Sequence, residues 1–321
     1  MTTRIIGTGS AVPNQIVTND DLSKIVETSD EWIRTRTGIR ERRIASAQSG
    51  TTALAIEAAR KALENAHVAP EELDIIILGT SSADCCFPSG ACEVQGAIGA
   101  VNAVAFDLSA ACSGFVFALN TVHSFIKAGI YKTGLVIGAD TLSKLIDWTD
   151  RSTCVLFGDA AGAAVVRAEE QGIIHLEMGA DGSRGNVLEC GGRTTGNFLT
   201  GQKPELGYMS MEGQEVFKFA VKTVPETINR LLEESQTSKD DIKYFILHQA
   251  NYRICESISK RMKISMDRIP TNLENYGNTS GASIPLLLDE MNRAGMLSRG
   301  DKLVMAGFGG GLTWGATLIE W

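Results

Sequence analysis

The chain has 321 residues, 44% of them hydrophobic and 21% charged, so it can bury one large core or two joined ones. A net charge of −8 argues against nucleic-acid binding, and no uninterrupted apolar run reaches membrane-spanning length. The N-terminus, Met1 to Gly7, enters directly into a strand-like run with no signal-peptide pattern, so a soluble cytoplasmic protein is expected.

In chain order, Thr52–Glu64 predicts an amphipathic helix. Pro70-Glu71-Glu72 follows as an acidic turn, and Leu73 to Leu78 as a buried strand. Val101–Asp107 predicts another buried strand, Leu108 to Ala111 a run of small residues, and Phe115–Ile126 a buried helix. Leu135 to Gly138 predicts a further strand. In the C-terminal part, Glu215–Glu234 predicts an amphipathic helix and Lys239 to Leu247 repeats the acidic turn and buried strand. The repetition has a register: Leu78 and Leu247 stand 169 positions apart, as do Gly138 and Gly307. Phe157-Gly158-Asp159 and Phe308-Gly309-Gly310 keep the likeness at a shorter offset of 151, which leaves an additional loop of about 18 residues, roughly Asp140 to Val155, in the first half. Unbroken apolar strands interleaved with amphipathic helices predict sheets covered on both faces. The expected molecule is therefore α/β, with two similar halves, residues 1–170 and 171–321, packed on each other.

The seven cysteines are odd in number and lack both a disulfide framework and metal-ligand spacing, which points to a reducing compartment and no metal site. Cys112 alone sits between a strand, a run of small residues and a helix start. Unpaired N–H groups and the positive end of the helix dipole there are expected to favour thiolate and make it a nucleophile. His248, one of four histidines, follows the strand ending at Leu247, where a polar group meets a cleft between halves. Asn278 lies in Tyr276-Gly277-Asn278-Thr279-Ser280-Gly281-Ala282-Ser283, a loop of small residues entering the apolar helix at Ile284. Asn278 alone could cap that helix. With Cys112 and His248 on matched ends of matched halves, it forms a Cys-His-Asn set.

That set, with Thr28-Ser29-Asp30-Glu31-Trp32-Ile33, Arg36-Thr37-Gly38-Ile39, Ala111-Cys112-Ser113-Gly114, Phe157-Gly158-Asp159, His248-Gln249-Ala250-Asn251, Gly277-Asn278-Thr279-Ser280 and Phe308-Gly309-Gly310-Gly311, resembles the β-ketoacyl-acyl-carrier-protein synthase III family of the thiolase fold over essentially the whole chain. The resemblance implies a layered αβαβα architecture and an initiating condensing enzyme of type II fatty acid biosynthesis. Cys112 would take the acyl group of an acyl-coenzyme A, with acetyl-coenzyme A the expected primer. Decarboxylative condensation with malonyl-acyl carrier protein would follow, with His248 and Asn278 as donors to the developing oxyanion. A starter-unit or acyl-transfer synthase of secondary metabolism on the same scaffold is the alternative. The resemblance further implies Gly310, Phe308, Phe87, Leu142 and Phe157 around the oxyanion and acyl pocket, Phe87 reaching in from the partner of a homodimer. Trp32, Arg36, Arg151 and Asn251 would hold coenzyme A, the base stacked between Trp32 and Arg151. The acidic carrier protein would dock on Gln249, Arg253, Lys218, Lys222, Lys260 and Arg261. No permanently bound cofactor is expected. The length and branching of the primer acyl chain are not legible.

Overall fold

The computed structural model describes residues 1–321. Strands β1 (Thr2–Ala11), β2 (Ile75–Gly79), β3 (Val104–Leu108), β4 (Thr133–Thr141) and β5 (Asp159–Glu169) form one sheet in the order β1-β5-β4-β2-β3. Strands β6 (Ile173–Ala180), β7 (Ile242–Leu247), β8 (Lys302–Gly309) and β9 (Thr313–Glu320) form a second sheet in the order β7-β8-β9-β6. The sequence repeat is visible in the pairing. β2 runs parallel to β4 as β7 does to β8, and β4 is antiparallel to β5 as β8 is to β9. The second sheet lacks a strand in the place of β3.

Helices α1 (Asp30–Thr37), α2 (Thr51–Ala66), α3 (Gly90–Ile98), α4 (Gly114–Lys127), α5 (Gly213–Glu234), α6 (Tyr252–Met262) and α7 (Ser283–Arg293) complete the framework. α2 and α3 cover the outer face of the first sheet, while α5 and α6 pack together with α5 against the second sheet. α4 and α7 lie between the sheets and touch both, giving the expected α-β-α-β-α layering. A buried apolar cluster fills that central layer, joining Ile5, Phe115, Val136, Ile246, Leu288 and Trp321 among others, so the two halves share one core.

Three expectations need correction. The segment read as a buried strand from Val101 starts at Val104 and is half-exposed, because β3 is the edge of its sheet and has no neighbour on one side. The added loop of the first half begins at Leu142, since Asp140 and Thr141 continue β4 in register with Ala160 and Asp159. Cys112 lies in a 3₁₀ turn, Ala111–Ser113, that precedes α4, not in the first turn of that helix.

Candidate active site

The turn carrying Cys112 has a counterpart 169 positions on, Ser280–Ala282, which precedes α7 as the first turn precedes α4. Both open on a residue with left-handed backbone, Ala111 at φ 46° and Ser280 at φ 53°. A residue with a Cβ adopts this conformation at a cost of roughly 1–2 kcal/mol, held here by the surrounding packing. Gly309, at the end of β8, lies against the first turn. A Cβ there would stand 2.7 Å from the Cys112 nitrogen, so only glycine admits this approach.

Cys112 is buried and lines two cavities that meet at it. The larger, of about 620 Å³, is also lined by His248, Asn278, Phe308, Trp32 and Arg36. The smaller, of about 370 Å³, is lined by Leu142, Leu145, Phe157, Leu188, Met209 and the Gly310 backbone, among others. Burial pushes the Cys112 thiol up to about 12; a hydrogen bond with Ser280 opposes this and the Asp140 carboxylate adds to it. The expectation that the turn favours thiolate is thereby corrected. A helix end contributes at most about 2 kcal/mol, whereas a rise of this size is on the order of 4 kcal/mol. At neutral pH Cys112 is a thiol.

His248 is buried, and burial pulls its imidazole down to about 3, so the ring is neutral at physiological pH. Its backbone N–H donates to the Ala306 carbonyl (2.9 Å), its Nδ1 lies 2.7 Å from Ser283 Oγ, and its ring meets Phe308 edge-on at 5.0 Å. Asn278 is held through its backbone between Leu156 and Gly158, and its Oδ1 accepts the Ser280 N–H at 2.9 Å. The amide nitrogen of Asn278 is thereby left for the cavity. Asp140 lies beneath both turns, fully buried, accepting from Thr80 Oγ1, Ser81 N–H, Ser82 Oγ and Gly281 N–H. Burial raises its carboxyl, and these donors oppose that rise.

At the mouth of the larger cavity the Trp32 ring carries two guanidinium groups, Arg36 at 4.9 Å and Arg151 at 5.1 Å. A base stacked between Trp32 and Arg151 needs two van der Waals contacts, roughly 7–8 Å in all. Arg151, which also donates to the Glu27 carbonyl, must therefore lift off the ring to admit it. Asn251 lines the same cavity, but both ends of its amide are engaged, Nδ2 on the Arg36 carbonyl and Oδ1 on the Arg253 N–H.

The structure separates the basic residues grouped from sequence. Arg253 is exposed at the mouth beside Lys218, whose ammonium is paired with Glu215 at 2.7 Å. Lys222, one turn further, lines a neighbouring groove with Asp181 and Arg184, which Lys218 also borders, but does not reach the cavity mouth. Lys260 and Arg261 sit at the far end of α6, about 10 and about 12 Å along the axis from Arg253, and Arg261 is paired with Glu226. Gln249 is no surface contact at all. It is 1% exposed, with Nε2 donating to the Leu247 carbonyl and Oε1 accepting the Asn272 N–H. The carrier-protein contact that the resemblance implies for Gln249 is corrected, because its side chain turns inward there.

Phe87 is 87% exposed and lines neither cavity of its own chain. The other histidines stand apart: His67 ends α2, His123 bonds Thr3 and His175 pairs with Glu234. Sequence reasoning missed Ser283, Asp140, Leu145, Leu188, Met209 and Phe217. Only Ser283 carried a usable signal, since it falls in register with Gly114 in the first half.

Residues 106–182 match the family model of 3-oxoacyl-[acyl-carrier-protein] synthase III, and residues 232–321 match the model of its C-terminal part. A β-ketoacyl-[acyl-carrier-protein] synthase III of Clostridium acetobutylicum is 53% identical over 319 residues, covering 99% of this chain and 98% of the relative. The crystal structure of 3-oxoacyl-[acyl-carrier-protein] synthase III from Aquifex aeolicus superposes with a TM-score of 0.92 at 46% identity, covering 99% of this chain and 100% of that one. The priming β-ketosynthase of the R1128 polyketide pathway gives a TM-score of 0.92 at 33% identity, covering 99% and 96%.

Proposed function

Because the chain belongs to the 3-oxoacyl-[acyl-carrier-protein] synthase III family of thiolase-fold condensing enzymes, we propose that Cys112, His248 and Asn278 carry its two half-reactions. The protein is an acyl-transferring condensing enzyme that initiates fatty acid synthesis. The observation that supports the assignment is that these three side chains line one cavity together with Trp32, Arg36 and Arg253.

In the first half-reaction the Cys112 sulfur attacks the carbonyl of acyl-coenzyme A. The thiol proton lost by Cys112 is balanced by the one the departing coenzyme A sulfur takes up, so the exchange of thioesters needs no net acid or base. The tetrahedral oxyanion is received by backbone N–H groups at Cys112 and the glycines following Phe308. The acyl chain occupies the smaller cavity between Leu142 and Phe157. Trp32 and Arg36 receive the base and phosphates of coenzyme A, and Asn251 acts by tying the two walls of the entrance together.

In the second half-reaction malonyl-acyl carrier protein loses carbon dioxide. The electron pair left behind is held as an enolate by His248 Nε2–H and Asn278 Nδ2–H; its carbon attacks the acyl-Cys112 carbonyl and expels the Cys112 thiolate, which takes up one proton from solvent to restore the thiol. Neutral donors suit this step, because an imidazolium would protonate the carbanion. Phe308, packed on the His248 ring, keeps water from the site. Every step uses groups of this chain, so no resident cofactor is invoked.

The half-exposed edge strand β3 and the bare Phe87 side chain support a homodimer in which a second copy lies along that edge. No helix of the chain is long and apolar enough to cross a membrane, and a free thiol nucleophile suits the reducing cytoplasm. A starter-unit synthase of secondary metabolism is the less supported reading, since the polyketide priming enzyme is 33% identical against 53% for the clostridial relative.

The test separates the half-reactions. Cys112→Ser should abolish the acyl adduct seen by mass spectrometry after incubation with acetyl-coenzyme A, because the less acidic hydroxyl has no base poised to activate it. His248→Ala and Asn278→Ala should still acylate but release carbon dioxide from malonyl-carrier protein roughly a hundredfold more slowly, the scale of losing one oxyanion donor. Equal losses in both steps would show that the pair serves chiefly to activate the thiol.

A further inference from the structure

The enolate hole needs a hydrogen on the cavity side of His248, and a neutral imidazole carries only one. What decides which nitrogen bears it is the partner of the other nitrogen. Nδ1 lies 2.7 Å from the hydroxyl oxygen of Ser283, which is buried at the start of α7. That oxygen also accepts the backbone N–H of Gln249 at 3.3 Å. These are its two hydrogen-bonding contacts, and the Gln249 N–H can only donate. The hydroxyl hydrogen of Ser283 therefore has one acceptor in reach, the Nδ1 lone pair. The reverse arrangement, Nδ1–H donating to the hydroxyl, would strand the hydroxyl hydrogen in a buried site and turn a lone pair toward the cavity. The positive end of α7 beside Nδ1 acts in the same sense, since it disfavours a proton there.

The repeat supplies an independent argument that the hydroxyl is not there for the fold. In the first half the positions in register with His248 and Ser283 are Gly79 and Gly114. There the strand end and helix start pack backbone on backbone, so closely that a Cβ on Gly79 would stand 2.6 Å from the Gly114 carbonyl carbon. The same junction of strand and helix thus closes with two glycines in one half and with a hydrogen-bonded histidine–serine pair in the other.

We propose that Ser283 is a positioning residue that fixes His248 as the Nε2–H tautomer, so that a donor and not a lone pair faces Cys112. The inference rests on the function proposed above and names the residue that makes His248 fit for it.

Nitrogen-15 NMR of the imidazole-labelled protein at neutral pH tests it, with the His248 resonances assigned by their loss in His248→Gln. Wild type should show a protonated Nε2 and a bare Nδ1. Ser283→Ala should move both resonances toward a mixture of tautomers. It should also slow carbon dioxide release by roughly two- to twelvefold, the range for one hydrogen bond, with acylation of Cys112 changed less than twofold. Ser283→Thr, which keeps the hydroxyl, should restore the wild-type tautomer. A protonated Nδ1 in the wild type would overturn the proposal, and that measurement stands even if a variant fails to fold. So would a Ser283→Ala protein with unchanged tautomer and rate. Wild-type protein that releases no carbon dioxide from malonyl-carrier protein, yet shows the Nε2–H form, would refute the function and leave the tautomer assignment standing.

Discussion

Neutral buried imidazoles make this protein's stability depend on pH in a definite sense. His248 is pulled down to about 3 and His123 to about 4, both chiefly by burial, from an ordinary value of 6.5. Above pH 6.5 both are uncharged in folded and unfolded chains alike, and their packing contributes in full. As pH falls below 6.5 the unfolded chain binds protons that the folded one refuses. Stability is then lost progressively towards the folded values, with a slope approaching about 1.4 kcal/mol per pH unit for each histidine. Asp140 and Asp159, whose carboxyls burial raises, work the other way, gaining stability as pH falls through their raised values. The histidine contribution is isolated by comparing variants. Between pH 6.5 and 5 the thermal midpoint of the wild type should fall relative to that of His123→Gln. A midpoint difference that does not change with pH would contradict the assignment. Condensation itself should not lose His248 to protonation anywhere in this range.

At the scale of the element, α6 spreads its basic residues along its axis. Arg253 and Lys260 lie seven positions apart and share a face, but the rise of the helix puts them about 10 Å from each other. Only Arg253 reaches the cavity mouth, where it makes no ion pair, while Lys218 opposite is already neutralised by Glu215. An exposed, paired lysine adds little. Arg253→Glu should raise the apparent KM for malonyl-carrier protein roughly three- to tenfold at low salt, through loss of steering toward an acidic partner. The first half-reaction with acyl-coenzyme A should be almost unchanged. The difference between variant and wild type should shrink as salt is raised past about 0.15 M, where exposed charges are screened over about 8 Å. Loss of both half-reactions together would put Arg253 in the path of the coenzyme.

In the whole molecule the two halves are structural repeats that lean on each other at the reacting centre. The middle strand of the first sheet meets the turn of the second half, and a Cβ on Gly138 would stand 2.2 Å from the Gly281 carbonyl oxygen. Gly138→Ala should destabilise the protein by roughly 1–3 kcal/mol or more, the cost of overpacking, and should lower condensation by displacing the turn that follows Asn278. Urea melts and the carbon dioxide assay check the two effects. Because α4 and α7 share one apolar layer, the segments 1–170 and 171–321 should unfold in a single transition. Two resolved transitions would make them independent domains.

The repeat, its register and the three chemical groups are legible in the order of the amino acids. Cys112, His248 and Asn278 each lie at the end of an apolar strand or the start of an apolar helix, and local pattern records such junctions. The resemblance also marked Trp32, Arg36 and Arg151, and both guanidinium groups lie over the Trp32 ring. The tertiary structure alone decided burial, and burial decided protonation. It made Cys112 a thiol despite a favourable helix start, and His248 a neutral ring. It turned Gln249 inward and left β3 at an edge. It brought Ser283 on α7 to His248 after β7, and Leu188 and Met209 to the walls around Cys112. Periodicity reports which face of an element is apolar; desolvation depends on every element packed against that face, and these come from both halves of the chain.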